Sequence, residues 1–315
     1  MGFGWFCRFH SGTTNGYTWP MWSLVFIGHL LMAAASGPTL HTTVQADAAP
    51  AQGRVGVACA LQGAPLDCGL NADAMLPMQS VYKLPIAMAM LDAVEHGRFA
   101  LQDKIRFLPS DLAPHSHSPL QDAHPHANVD VPLEELMRLA VTESDNVASD
   151  MLLRVLGGPG VADAYLRRLG IANIHIKDTE RALHSDVRLQ YRNDASPTAL
   201  VNLLEKLAAG SALSPQHTAL VTGWMTESDT GVHRIKGMLP AGTVVAHKTG
   251  TSDTDAGITH ATNDAGWIVL PDGRKLFVAV MVIDSPASET VREGVIAKIA
   301  RDVWLAADPH PAHAR

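Results

Sequence analysis

The chain has 315 residues, 47% of them hydrophobic and 17% charged, a globular balance with length enough for a buried core and one or two domains. Its formal net charge is −7 and no Lys/Arg-rich run occurs, which excludes the concentrated positive face that a nucleic-acid partner requires. Without internal repeats, the composition leaves a compact soluble enzyme or a binding protein.

Residues 21–35 (MWSLVFIGHLLMAAA) form an apolar run broken by His29 and ending in small residues. It is too short for a comfortable membrane span and suits the core of a signal peptide over 1–35, cleaved near Ala33–Ser36. Arg8 and His10 give a weak positive start, Met21 is an alternative initiator, and an uncleaved anchor is the competing reading. Of three cysteines, Cys7 would leave with the leader. Cys59 and Cys68 flank the turn-like Gln62-Gly63-Ala64-Pro65, and either bridge across two strands or remain small half-buried thiols.

After the leader, 39–49 reads as weakly helical, 54–61 (RVGVACAL) as a strand and 66–70 as a second strand. From Ser80 the apolar positions Leu84, Ala87, Leu91 and Val94 recur at helical spacing, and Gly97 stands where a C-cap glycine would. Pro85 is tolerable only near a helix start, so the first turn lies close to Ser80. Further helices are expected at 133–140, 144–156, 161–169, 197–208 and 215–225. Strands follow at 243–251, 266–270 and 275–283, and a helix at 289–305 closes the chain with one apolar face. Strands at both ends with helices between them predict an α+β fold: one split sheet beside an inserted helical domain.

Three short motifs carry chemistry. Ser80-Val81-Tyr82-Lys83 places an ammonium on the same helix face as a hydroxyl, and a serine becomes nucleophilic when a nearby base, such as a lysine of depressed pKa, takes its proton. Ser144-Asp145-Asn146 opens a helix and by itself is an N-cap signature. Lys248-Thr249-Gly250-Thr251 ends an apolar strand, where glycine lets a substrate approach the backbone. In this order and on these elements they match the S-x-x-K, S-D-N and K-T-G set of penicillin-recognising serine enzymes.

With these motifs the chain resembles the class A serine β-lactamases over nearly everything after the leader, and is similar above all to their PER-like extended-spectrum branch. The strings MQSVYKLPIA, TESDNVASDMLLR, GVHRIKGMLP and VAHKTGTSDTDAGITHATND carry the likeness. The resemblance implies a five-stranded antiparallel sheet flanked by helices, with a split α/β domain at 36–78 and 223–308. It also implies an all-helical domain at 79–222 that holds an Ω-loop at about 177–197. Within Thr179-Glu180-Arg181-Ala182-Leu183-His184, Glu180 matches the family's E-x-x-L-N carboxylate, a base able to activate water against an acyl-enzyme.

Carried over residue by residue, the likeness implies that Ser80 attacks the lactam carbonyl while Lys83, or Glu180 through a water, takes its proton. The N–H groups of Ser80 and Thr251 would form the oxyanion hole, and Ser144, beside Lys248, would protonate the departing nitrogen. Asn146 would hold the substrate's side-chain amide, and Thr249, Gly250, Thr251 and Arg234 would receive its carboxylate end. No cofactor or metal is expected. The partner is a β-lactam molecule rather than nucleic acid or a membrane, and the mature chain is expected to be a periplasmic, secreted monomer. A DD-peptidase or penicillin-binding protein acting on cell-wall peptides, and a non-catalytic binding protein of the same fold, are the alternatives.

Four positions depart from the family pattern. The usual Asn four residues after the base is His184. Asp178 and Asn193 replace the Arg and Asp whose salt bridge pins the Ω-loop, so a differently folded or wider loop, open to bulky oxyimino cephalosporins, is expected. His117 stands where an aromatic gatekeeper is usual, in a loop with His115, His124 and His126; the reading is solvated histidines with His117 at the cleft entrance, and zinc is the alternative.

Overall fold

Strand residues buried on both faces read as continuous aliphatic runs, and the sequence LFVAVMVI in the last strand is of this kind. In a computed structural model, which describes Met1 and residues 38–308, that run lies inside a five-stranded antiparallel sheet. The expected leader lies outside the described residues. The strands are β1 (Arg54–Leu61), β2 (Val245–Thr251), β3 (Thr254–Asp255), β4 (Ile258–Val269) and β5 (Lys275–Ser285). They run in the order β1-β5-β4-β2, with β3 hairpinned onto β4. The chain is therefore α+β, with its first strand beside its last.

Side chains alternate across a strand, and β5 uses both faces. Val278, Val280 and Val282 join Val55, Val57, Val295, Ile299 and Trp304 in one buried cluster, covered by α1 (Leu40–Ala48) and α10 (Glu289–Ala307). Phe277, Ala279, Met281 and Ile283 belong to the other cluster, which continues into the helices. At its centre is α2 (Lys83–Glu95), whose residues from Lys83 to Leu91 are all buried. A helix apolar all round is a core helix, and this one is surrounded by its neighbours. Pro85 is accommodated because the first turn has no intrahelical acceptor for its missing N–H.

The remaining helices are α3 (Pro119–Ala123), α4 (Leu133–Thr142), α5 (Asn146–Leu156), α6 (Pro159–Arg168), α7 (Glu180–Leu183), α8 (Pro197–Ala208) and α9 (Pro215–Glu227). Asp145 fixes the start of α5: its buried carboxylate accepts from Ala148 N–H at 2.8 Å, Ser118 Oγ at 2.8 Å and Leu120 N–H at 2.7 Å. Among the described residues, no helix is long and apolar enough to cross a membrane.

Two sequence expectations are corrected. Residues 66–70 do not form a strand; Leu70 meets Val57 in a single bridge and Pro65 brings no N–H to a ladder. Strand β4 begins at Ile258, eight residues before the expected Gly266, because its polar side chains find buried partners. Asn263 Nδ2 donates to the carbonyls of Pro77 and Met78 at 2.8 and 3.0 Å, and Arg292 Nε donates to Thr262 Oγ1 at 2.8 Å.

Cys59 on β1 and Cys68 are joined as a disulfide, with Cα atoms 6.1 Å apart. Alkylation of the denatured, unreduced chain should therefore label no more than Cys7. Closing a segment of sequence separation 9 restricts the unfolded chain by about 2–3 kcal/mol. Replacing both cysteines by serine should lower unfolding stability in denaturant titration by up to about that amount.

Candidate active site

Ser80 sits in a tight 3-10 turn, Gln79–Tyr82, that runs directly into α2. Gln79 holds a left-handed backbone at φ 48°, sparsely allowed for a residue with a Cβ, and so re-aims the chain just before the serine. Helical spacing then brings Lys83 Nζ to 2.9 Å from Ser80 Oγ. Lys83 is completely buried, and its three N–H donors are met by four oxygens. Besides Ser80 these are Ser144 C=O at 2.6 Å, Glu180 Oε1 at 3.0 Å and, in a short contact, Asn146 Oδ1.

Glu180 opens α7 on the Ω-loop and accepts a longer hydrogen bond, 3.4 Å, from Ser80 Oγ. Burial by itself would raise its pKa, but the charge and hydrogen bond of Lys83, aided by His184 and Tyr82, outweigh burial and hold Glu180 below the ordinary carboxylate value. At neutral pH it is an ionised base facing the serine. Tyr82 is also buried; burial, then the charges of Glu180 and Asp150, push its phenol well above the ordinary value, so it stays a neutral hydroxyl.

On the opposite wall Ser144 adopts φ 60°, a second left-handed residue, which turns its carbonyl to Lys83 and its hydroxyl to Lys248. Lys248 Nζ donates to Ser144 Oγ and to Thr249 C=O, each at 2.9 Å. Its complete burial, with the repulsion of Lys83, brings its pKa well below the ordinary lysine value. Strand β2 can approach the serine turn this closely only because Gly250 lacks a Cβ, which would lie 2.3 Å from Met78 C=O.

A cleft of about 780 Å³ opens over this cluster. Ser80, Ser144, Asn146 and Glu180 form its floor side, and Thr249, Thr251 and Arg234 line one end. Lys83 and Lys248 lie beneath it, and Gly250 is the backbone contact just described. Arg234 is buried: Nε pairs with Glu293 at 3.0 Å, Nη1 donates to the carbonyls of Asn263 and Gly250, and Nη2 donates to Thr251 Oγ1 at 2.8 Å. His117 lines the entrance and its Nε2 meets Glu143 C=O at 2.9 Å. His184 also lines the cleft, but its Nδ1 donates to the Glu180 carbonyl at 2.7 Å and lies 3.9 Å from the carboxylate. Its other ring nitrogen, Nε2, is therefore the one left to meet a water. Of the histidine-rich loop, His115 reaches the cleft, whereas His124 and His126 are exposed away from it; among the described residues no group of three or more His, Cys, Asp or Glu converges as metal ligands.

The arms of the Ω-loop are joined by a buried amide and by an ion pair of other partners than the expected Arg and Asp. Asn193, fully buried, accepts from the N–H groups of Lys177 and Asp178 at 2.8 and 3.0 Å and donates to Asp178 C=O at 2.9 Å. Asp178 also pairs with Arg192 across the arms at 3.0 Å, so the loop keeps a salt bridge where none was expected. An amide that both accepts and donates can meet N–H groups and a carbonyl of the same segment together, which an ionised carboxylate cannot.

Sequence reasoning missed Asp150. Its carboxylate accepts the N–H groups of Glu180 and Arg181 at 2.7 and 3.0 Å, so it anchors the start of α7 from α5. It missed as well Gln79, Thr230, whose hydroxyl meets Thr249 Oγ1 at 2.8 Å, and the Arg234 partner Glu293. These act through contacts far apart in sequence; for Asp150 the only local signal was an acidic residue on the inner face of α5.

The fold and this cluster define a class: serine-nucleophile enzymes in which a loop carboxylate faces the serine. Residues 39–307 match the Beta-lactamase enzyme family. The chain is 40% identical over 235 residues to the extended-spectrum β-lactamase PER-1 of Pseudomonas aeruginosa, covering 75% of this chain and 76% of that protein. It is 37% identical over 253 residues to the β-lactamase VEB-1 of the same organism, covering 80% and 84%. A β-lactamase crystal structure from Chitinophaga pinensis superposes with a TM-score of 0.83 at 40% identity, covering 85% of this chain and 99% of that one. The chain belongs to the β-lactamase enzyme family, as a serine enzyme of class A.

Asp150 yields a test. Burial, with the charge of Glu180, raises its pKa to about 6 from 3.8, against the opposing backbone hydrogen bonds. The folded state thus holds this proton more tightly than the unfolded chain, so the group's contribution to stability is full below pH 4 and falls as pH rises to about 6, by on the order of 3 kcal/mol. Asp150→Asn should flatten that part of the stability–pH curve measured by denaturant titration. It should also slow deacylation, because its amide hydrogens oppose one of the two N–H groups, a loss of about 1–3 kcal/mol.

Proposed function

We propose that this cleft hydrolyses β-lactams through an acyl-enzyme on Ser80, which is deacylated by water activated at Glu180. The carrying observation is the triangle of Ser80 Oγ, Lys83 Nζ and Glu180 Oε1, with edges of 2.9, 3.0 and 3.4 Å. The activity is hydrolysis of the lactam amide bond of penicillins and cephalosporins, the basis of resistance to them.

Ser80 Oγ attacks the lactam carbonyl as its proton passes to Glu180, directly or through one water, while Lys83 donates to both oxygens and holds them in place. Charge developing on the carbonyl oxygen falls to the N–H groups of Ser80 and Thr251. The ring C–N bond breaks, and Ser144 Oγ gives its proton to the nitrogen and takes one from Lys248, destabilised as a cation; the proton held by Glu180 then returns to Lys248 through water in the cleft, so that Glu180 is again ionised before deacylation. A water then loses its proton to Glu180 and attacks the ester carbonyl, and Ser80 leaves with the proton that Glu180 returns. Thr249, Thr251 and Arg234 receive the substrate carboxylate, Gly250 lets it approach the strand, and Asn146 meets the side-chain amide. His117 and His184 shape the entrance.

The same reading places 1–35 as a cleaved leader and the mature chain as a periplasmic monomer with no nucleic-acid partner. It also keeps a split α/β domain (36–78 and 223–308) around an inserted helical one (79–222).

Ser80→Ala should abolish turnover of a penicillin followed by loss of ring absorbance. Glu180→Gln should accumulate a covalent adduct of the whole antibiotic mass in intact-protein mass spectrometry, with steady-state turnover down by about 10³-fold or more. Rapid turnover by Glu180→Gln would remove its role as the base.

A further inference from the structure

Outside the catalytic cluster, three polar side chains from distant parts of the chain meet at one point. Tyr191 ends the 3-10 turn Val187–Tyr191, on the second arm of the Ω-loop. His260 on β4 and Asp284 on β5 stand opposite each other, between the paired positions Ala261–Ile283 and Thr259–Ser285. Tyr191 Oη lies 2.7 Å from His260 Nδ1 and donates a short hydrogen bond to Asp284 Oδ1, and His260 Nδ1 is 3.1 Å from the same carboxylate oxygen. The Tyr191 and His260 rings meet edge to face, with centroids 5.7 Å apart.

The protons in this cluster are accounted for. Asp284 only accepts, so the phenol hydrogen goes to it. His260 Nδ1 must then carry a hydrogen, directed at the phenol and carboxylate oxygens. Burial and the bond to Asp284 push the phenol up to about 12, so it remains a donor.

Both sides of this contact lead to the cleft. Next to Tyr191, Gln190 lines the cleft and accepts from Gln79 Nε2 at 3.1 Å, immediately before the nucleophile. Next to His260, Thr259 meets Thr254 Oγ1 at 2.7 Å, and Ala261 N–H donates to Ser252 Oγ at 2.9 Å. Ser252 and Thr254 belong to the β2–β3 connection and β3, which form the facing wall. Tyr191, His260 and Asp284 do not themselves line the cleft.

We propose that Tyr191, His260 and Asp284 form a clasp that fixes the Ω-loop to the start of β4 and the end of β5 and sets the gap between the Ω-loop and the 252–255 wall. They are positioning residues, and the property they control is the size of acyl side chain admitted. The proposal rests on the β-lactam reading of the cleft.

The test is kcat and KM of the full enzyme and of Tyr191→Phe on a compact penicillin and on a bulky oxyimino cephalosporin. Tyr191→Phe keeps the ring contact and removes both hydrogen bonds. It should lower KM for the bulky substrate and raise the bulky-to-compact ratio of kcat/KM by about three-fold or more, with penicillin kcat within about two-fold of the parent. Asp284→Asn tolerates the left-handed backbone at φ 52° and keeps an acceptor for Tyr191, so it should retain the parental ratio. A smaller shift in Tyr191→Phe, an equal loss on both substrates, or an equally large shift in Asp284→Asn overturns the clasp. Absence of turnover of either substrate by the parent would instead overturn the reading of the cleft.

Discussion

A fully buried ammonium has to be met by acceptors, and the site is arranged around that requirement at Lys83. Its four oxygens come from three separate places: the serine turn, the α5 start at Ser144 and Asn146, and the Ω-loop at Glu180. Each must be in position for the charge to be tolerated, so the lysine binds the helical core, the loop and the nucleophile into one unit. Breaking a buried pair by removing one partner typically costs about 3–5 kcal/mol, which gives the folded chain a strong preference for this one arrangement. The same pairing keeps Glu180 ionised in a place where burial alone would neutralise it. A base next to a serine is thus sustained by a structural constraint.

The second lysine is governed by the opposite balance. Lys248 has hydroxyl and carbonyl partners where Lys83 has a carboxylate as well, and its pKa falls. Two buried lysines near Ser144 therefore hold different roles through different neighbours. The sheet brings them together: β2 delivers Lys248, its glycine permits contact with the serine turn, and the polar half of β4 locks that turn through Asn263. Arg234 spends most of its donors on the carbonyls and hydroxyl of these strands, with Glu293 balancing its charge. It anchors that end of the cleft.

What the sequence made legible were features with local causes. The helix over 197–208, the aliphatic strand from Lys275 and the three motifs follow from spacing and capping between near neighbours. What escaped it depends on partners far along the chain. Residues 258–265 look too polar for a central strand until Pro77, Met78, Arg292 and His247 are seen to satisfy them. Residues 66–70 have strand-like composition, but β1 receives only one bridge from them. The loss of the usual Arg–Asp pair was readable from Asp178 and Asn193, while its replacement by the Asn193 amide and an Asp178–Arg192 ion pair was not, since nothing local shows which groups either side chain will meet. Asp150, which anchors the base from 30 residues away, was invisible for the same reason.

The most direct test of a site built to release its acyl group is the extent of reaction. A chromogenic cephalosporin in large molar excess over the purified chain, followed to completion, separates the possibilities. An ionised Glu180 facing Ser80 predicts many turnovers per enzyme until the substrate is exhausted. A burst of one equivalent that then stalls would contradict it, leaving an acylatable serine with no working base for deacylation.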